Sequence, residues 1–287
     1  MRFAVFTASL PDWTPEEAVA ELVDAGYDGV EWRVTDQQPS ADGTPGFWAG
    51  NRCTWPFATL AEDLPRIAEV TSAAGLAMPS LGTYVRCGDP AAVDAAMAAA
   101  ATLGVPQLRV TVPPYDPRDS YRAVWQQCRG EYAEVAQLAA RHGVRALVEI
   151  HHRTPVQSPH AAASFVDGLD PAHVGVIHDV GNMVYEGWSD YRLGLEVLGD
   201  HLAHVHLKNG RWAREGERPD GTGDWRAGAA PLRDGIVDVT ALFVALRQVG
   251  YDRWVTFEDF STERPLRERI RDNLALTRQA YDTAQAG

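Results

Sequence analysis

Four side chains of metal-ligand type close short apolar runs in this 287-residue sequence. They are Glu149 in Val148-Glu149-Ile150-His151-His152, Asp179 in His178-Asp179-Val180-Gly181-Asn182, His206 in His204-Val205-His206-Leu207-Lys208, and Glu258 in Phe257-Glu258-Asp259-Phe260. Three carboxylates brought together without a cation repel one another and are driven towards protonation. One divalent ion removes that conflict. Three oxygen donors with one imidazole suit Mn2+ first, with Mg2+, Co2+ or Zn2+ as alternatives, and do not form the pattern of a structural zinc site. Any one of these residues alone would read as a structural hydrogen-bonder; four on consecutive strands read as a metal centre.

Other candidates gather around the same strand ends. Lys208 is the only lysine among 26 basic residues and stands two positions past His206, so strand alternation points it the same way. A compact ammonium there could polarise a substrate oxygen, or donate a proton if the site lowers its pKa; coding bias towards arginine is the competing explanation. His151 and His204 share parity with Glu149 and His206, and each is either a pocket group or a buried hydrogen-bonded imidazole. His151 is the further candidate acid or base. Arg109, Arg153 and Arg211 are candidate contacts to substrate hydroxyls or anions, joined by Trp48 and Glu31. His142, His160, His173 and His201 fall in helices or loops and read as ordinary surface residues.

Positioning these groups needs eight strands. Apolar runs at 3–7, 29–33, 77–81, 107–112, 146–151, 175–179, 203–208 and 254–258 alternate with helical periodicity, clearest at 15–25, 60–74, 90–102, 121–142, 191–198 and 266–283. Thr14-Pro15 reads as a cap followed by a first-turn proline, and Gly26, Gly75, Gly104, Gly143 and Gly250 read as helix stops. Strand–helix alternation of this kind implies an α/β chain folded as a (β/α)8 TIM barrel, one domain over residues 1–287. The alternative, a doubly wound sheet, would carry a glycine-rich loop after its first strand, where Ser9-Leu10-Pro11-Asp12 stands instead. Two connections, 36–57 and 209–238, exceed ordinary βα-loop length. The first holds Phe47, Trp48 and Trp55; the second holds Trp212, Trp225 and five arginines, Arg211, Arg214, Arg218, Arg226 and Arg233. Both leave the strand ends where barrel enzymes place their sites, and their aromatic content predicts ordered lids.

Composition narrows the function classes. With 39 acidic and 26 basic residues the formal charge is −13, which disfavours nucleic acid as a partner. The absence of a long apolar run disfavours a membrane span, and the first residues lack a signal-peptide pattern, so the expected location is cytoplasmic. Cys53, Cys87 and Cys128 are odd in number and widely spaced, which predicts neither a disulfide framework nor a thiolate metal site.

The ordered set Gly26-Tyr27-Asp28-Gly29-Val30-Glu31, Glu149-Ile150-His151, His204-Val205-His206-Leu207-Lys208 and Gly250-Tyr251-Asp252 leading to Phe257-Glu258 resembles the xylose isomerase-like TIM-barrel superfamily of sugar isomerases and epimerases. The likeness spans roughly residues 3 to 280. It implies that Glu149, Asp179, His206 and Glu258 bind one divalent metal. In the ketose 3-epimerase branch it further implies that the two glutamates shuttle a proton on opposite faces of a metal-stabilised cis-enediolate. That branch carries a second glutamate six residues after the first and a histidine three after the aspartate, where this chain has Pro155 and Asn182. The superfamily's DNA-repair members need extra histidines for a three-zinc cluster, where this chain offers Thr83, Arg109, Thr111 and Asn182.

The leading expectation is therefore a metal-dependent isomerase or epimerase acting on a ketose, keto-acid or related sugar. A lyase or dehydratase on the same scaffold, eliminating water or an aglycone β to a ketone with His151 or Lys208 as acid, is the alternative. A sugar-binding barrel without activity, or a subunit that needs a partner or a second copy, is the third.

Overall fold

The computed structural model describes residues 1–187 and 190–286. Its strands are β1 (Arg2–Phe6), β2 (Gly29–Val34), β3 (Thr54–Trp55), β4 (Leu81–Thr83), β5 (Gln107–Arg109), β6 (Arg145–Glu149), β7 (Val174–Asp179), β8 (Leu202–Leu207), β9 (Asn209–Glu217), β10 (Gly223–Ala230) and β11 (Trp254–Phe257). Its helices are α1 (Pro15–Ala25), α2 (Leu60–Ala73), α3 (Pro90–Leu103), α4 (Tyr121–His142), α5 (Pro159–Val166), α6 (Val180–Glu186), α7 (Tyr191–Leu198), α8 (Val239–Gln248) and α9 (Leu266–Ala286).

Strands covered on both faces are mostly apolar, and β2, β7 and β8 are buried at every residue, their polar members included. Parallel pairing runs β1-β11-β8-β7-β6-β5-β4-β2, and β1 also pairs β2, which closes the sheet into an eight-stranded barrel. The two-residue β3 rides on β2. All eight expected runs lie on this sheet, with one shift. The third barrel strand starts at Leu81, four residues late, while Ala77 makes only an isolated bridge to Gly29. Pro79 between them has no N–H to give to a ladder.

Helix ends follow the expected chemistry. Thr14 and Glu17 form a capping box around α1 with Pro15 in its first turn, and Gly26 closes that helix at φ +91°. One continuous apolar cluster fills the space between barrel and helices. Inside the barrel, Leu147, Ile177 and Ala203 form a smaller cluster beneath the polar layer described below.

The two long connections differ in build. Segment 209–238 opens with the antiparallel hairpin β9–β10, in which Trp212 pairs with Ala227 and Arg214 with Trp225. Segment 36–57 is irregular up to β3 and is tied to the barrel: Arg33 donates to the Phe47 carbonyl at 2.8 Å, and Asn51 Nδ2 donates to the Ala8 carbonyl at 3.0 Å.

The three cysteines are free, as expected. Although 41 positions separate them in sequence, Cys87 and Cys128 are brought together with Glu131, one ligand atom of each lying within 4.8 Å of the others. The Cys87 thiol donates to Glu131 Oε2 at 3.1 Å. Among the described residues, no helix is long and apolar enough to cross a membrane.

Candidate metal centre and its cavity

Barrel geometry delivers the four expected ligands to one place. Glu149 ends β6, Asp179 ends β7, His206 lies near the end of β8, and Glu258 follows β11 with its N–H on the Leu207 carbonyl at 3.0 Å. Asp179 and His206 are register partners, so their side chains leave the sheet side by side. All four are buried, and one donor atom from each lies within 4.8 Å of the others. His206 Nδ1 stands 3.3 Å from Glu258 Oε1 and 3.8 Å from Glu149 Oε1. His206 Nδ1 is buried without a hydrogen-bond partner among the described residues, whereas Asp179 Oδ2 has only the Lys208 ammonium at 2.6 Å. Three buried carboxylates that converge on an imidazole nitrogen left without a hydrogen bond fit a divalent cation.

The surrounding charges explain which atoms stay available. Glu31 Oε2 accepts from His204 Nε2 at 3.0 Å and from His206 Nε2 at 3.3 Å. Burial alone would raise the Glu31 carboxyl, but His206 and His204 beside it hold it well below the usual carboxylate range. An ionised Glu31 places the proton on His206 Nε2 and leaves Nδ1 facing the carboxylates. Burial opposes a charged His206, yet Glu258 and Glu31 hold its pKa well above the ordinary imidazole value. Burial, together with Glu258 and Glu149, pushes Asp179 up to about 7 despite the nearby ammonium of Lys208.

Two fixed cations share these carboxylates. Lys208 Nζ lies 2.6 Å from Asp179 Oδ2 and 2.7 Å from Glu258 Oε2. Arg109 Nη1 lies 2.6 Å from Glu149 Oε2, while its Nε donates to the Thr83 carbonyl at 3.1 Å and its guanidinium sits 4.4 Å from the Tyr84 ring centroid. Lys208 is thus inward-facing as expected, but its titration runs the other way. Burial lowers its pKa; Asp179, Glu258 and Glu149 more than reverse that, so the side chain stays charged rather than becoming a ready proton donor.

A cavity of about 1160 Å³ opens above the centre, with Glu149, Glu258, Lys208 and His151 at its floor. The His151 ring stacks on His152 with centroids 4.4 Å apart, and His151 Nδ1 lies 2.7 Å from the His152 carbonyl oxygen. His152 Nδ1 meets Asn182 Oδ1 at 3.0 Å, and Asn182 Nδ2 donates to Glu149 Oε1 at 3.3 Å, linking the pair to the centre. His204 does not reach the cavity; it is buried between Glu31 and Thr256. Arg153 and Trp48 stand at the mouth. Arg153 is held at φ +59°, a strained conformation for a non-glycine residue, while its N–H donates to Glu186 Oε1 at 2.6 Å. Trp48 packs against Phe260 at 4.9 Å.

Two expected substrate contacts lie elsewhere. Glu31 is fully buried behind His206 and has no surface in the cavity. Arg211 is next to Trp212 on β9, so alternation turns it away from the cavity, and it pairs with Glu263 at 2.8 Å. Tyr84, His152 and Tyr185 line the cavity without having been anticipated. Only His152, inside the quoted strand-end motif, carried a signal that could have found it.

A closed (β/α)8 barrel with a carboxylate–imidazole cluster at the C-terminal ends of its strands defines a metal-site barrel. This chain belongs to the xylose isomerase-like TIM barrel family, which it matches over residues 19–280. It is similar to the inosose dehydratase of Geobacillus thermodenitrificans (strain NG80-2), 30% identical over 133 residues that make up 43% of each chain. The inosose dehydratase of Bacillus licheniformis is 27% identical over 139 residues, 47% of this chain and 46% of that one. These alignments span less than half the length of either relative. Among solved structures, the 3-keto-D-glucoside 4-epimerase of E. coli in its apo form superposes with a TM-score of 0.71 at 19% identity, covering 97% of this chain and 99% of the other. The IOLI protein with a bound zinc atom gives 0.73 at 17% identity and 99% coverage of both chains. The fold is shared with these two structures.

Proposed function

We propose that this chain is a divalent-metal-dependent sugar enzyme that moves a proton at the carbon beside a sugar carbonyl, as an isomerase or epimerase of a ketose or related keto-sugar. The observation that carries this reading is the convergence of Glu149, Asp179, His206 and Glu258, buried and within 4.8 Å of one another. These four residues would hold the ion, Mn2+ first among the candidates. When bound, the ion supplies Lewis-acid polarisation of a carbonyl and its neighbouring hydroxyl. Glu149 and Glu258 each have one oxygen fixed by a cation, Arg109 and Lys208 respectively. Each keeps its other oxygen directed towards the centre, and such carboxylates take and return protons at a substrate carbon. Arg109, Arg153 and Trp48 are the proposed contacts to the rest of the sugar.

Elimination is the second reading. It is favoured by the relatives named inosose dehydratase and by His151 and Lys208, two further groups on the cavity floor able to assist a leaving hydroxyl. Incubating the Mn2+-loaded protein with keto-sugars and inososes in D2O, read by mass spectrometry, separates the two. Uptake of one deuterium with conserved composition indicates isomerisation or epimerisation, and loss of one water indicates elimination. Glu258→Gln and exhaustive chelation should each abolish either signal. Turnover that survives metal stripping would refute the proposal.

A further inference from the structure

The cavity is larger, and its mouth more aromatic, than a single sugar ring requires. Pockets that enclose whole drug-sized ligands run to roughly 300–1,000 Å³, and this one reaches about 1160 Å³. Its polar floor lies at the barrel strand ends, while its upper wall carries Trp48, Trp212 and Trp225, which are 57%, 47% and 53% exposed. Large aromatic side chains left this open on a concave surface mark a binding site.

The β9–β10 hairpin explains how that wall is built. Trp212 pairs with Ala227, and Arg214 pairs with Trp225. Paired residues and their next-but-one neighbours share a face, so both indoles stand on the same side of the hairpin. Trp212 Nε1 donates to the Val184 carbonyl at 2.8 Å, which anchors the ring by its polar edge. Beside them, Ala227-Gly228-Ala229 presents nothing larger than a methyl group and keeps the space open. Arg226, on the same strand, is paired with Glu215 at 2.9 Å. The hairpin thus gives the cavity an aromatic side that favours a flat, apolar group over further sugar hydroxyls.

We infer that the cavity contains a second subsite, between the hairpin tryptophans and Trp48, that receives the planar aromatic aglycone of a glycoside. The metal centre then acts on the attached sugar, so the substrate class is an aryl glycoside or its keto derivative rather than a free monosaccharide. This rests on the proposed sugar chemistry for its floor, but its walls can be tested separately.

The test is calorimetric titration of the full-length Mn2+-loaded protein with phenyl β-D-glucopyranoside and methyl β-D-glucopyranoside. The phenyl compound should bind at least about tenfold more tightly, the equivalent of roughly 1.4 kcal/mol from ring contacts. Trp225→Ala should reduce that preference to below about threefold and leave methyl glucoside binding unchanged, while Trp225→Phe should retain most of it. Equal affinity for the two glycosides, no binding of the phenyl compound at millimolar concentration, or a preference that survives Trp225→Ala would each overturn the subsite. So would a change of oligomeric state in Trp225→Ala by sedimentation velocity, which would assign the tryptophans to self-association. Failure of metal-dependent deuterium exchange would count against the sugar chemistry alone, because the phenyl-to-methyl ratio is read without turnover.

Discussion

Lys208 Nζ bridges Asp179 Oδ2 at 2.6 Å and Glu258 Oε2 at 2.7 Å, so one ammonium contacts two of the four candidate metal ligands. Its stem crosses the start of α6 at Gly181, where an added Cβ would collide with Lys208 Cγ. Ammonium and divalent ion therefore draw on the same carboxylate charge. Removing the ammonium as Lys208→Met should tighten Mn2+ binding by on the order of tenfold, since a like charge a few ångströms away costs about 1–4 kcal/mol. Turnover should fall in the same variant. Lys208→Arg keeps the charge but must fit a planar fork against Gly181, and should also lose turnover. Calorimetric metal titration with deuterium-exchange rates checks both; a fully active Lys208→Arg would leave coding bias as the whole reason for the lone lysine.

Glu31 governs the same centre from behind. Its carboxylate accepts from His206 Nε2 and fixes which ring nitrogen faces the other ligands. A neutral amide in Glu31→Gln can rotate its NH2 towards that nitrogen and favour the opposite tautomer. Metal affinity should drop by roughly 10- to 100-fold, the usual cost of losing the group that orients a ligating histidine. The comparison is the Mn2+ dissociation constant of the variant against wild type, with circular dichroism to confirm an intact barrel. Unchanged affinity would reduce Glu31 to a core-filling acid.

His178 sets a limit on acid stability. Its ring is fully buried, and burial holds its pKa down at about 4. The unfolded chain takes up a proton near pH 6.5 that the folded chain refuses, so the contribution to stability is full above that pH. It declines as pH falls, by up to about 3 kcal/mol once pH has passed through 4. Melting curves at pH 7.5 and pH 5 should show a smaller acid loss in His178→Leu than in wild type. An equal loss in both proteins would mean that other groups carry the acid sensitivity.

The residues that made the barrel legible were those whose neighbours in space are also neighbours in sequence. Parallel strands covered on both sides are apolar runs, glycines close the helices between them, and inward parity follows from counting by two. The same arithmetic brought out Glu149, Asp179, His206 and Glu258 together with Lys208. The hairpin at 209–230 was harder to see. Its strands lie outside the barrel core, so solvent rather than an apolar pattern surrounds most of their residues, and only its tryptophans and arginines stood out. Arg211 falls outside the cavity for that reason: only once β9 and β10 are seen to pair does alternation with Trp212 show which face it takes.

Closure of the barrel decided the rest. Glu31 meets His204 and His206 although β1 and β11 lie between their strands, because side chains at the same height converge on the axis of a closed sheet. Folding also brought Cys128 of α4 beside Cys87 in the loop that follows β4. Lys208 shows the division most clearly. Its position two residues past His206 was readable from sequence, but its charge state was not. Burial argues for a low pKa and two carboxylates from other strands argue for a high one; only their distances in the folded chain determine which prevails. Sequence by itself determined the order of strands and which side chains face inward, because both are local and periodic. Tertiary structure determined which of those side chains meet, and with what charge, because Coulomb energies and hydrogen bonds depend on separations of a few ångströms that no linear spacing encodes.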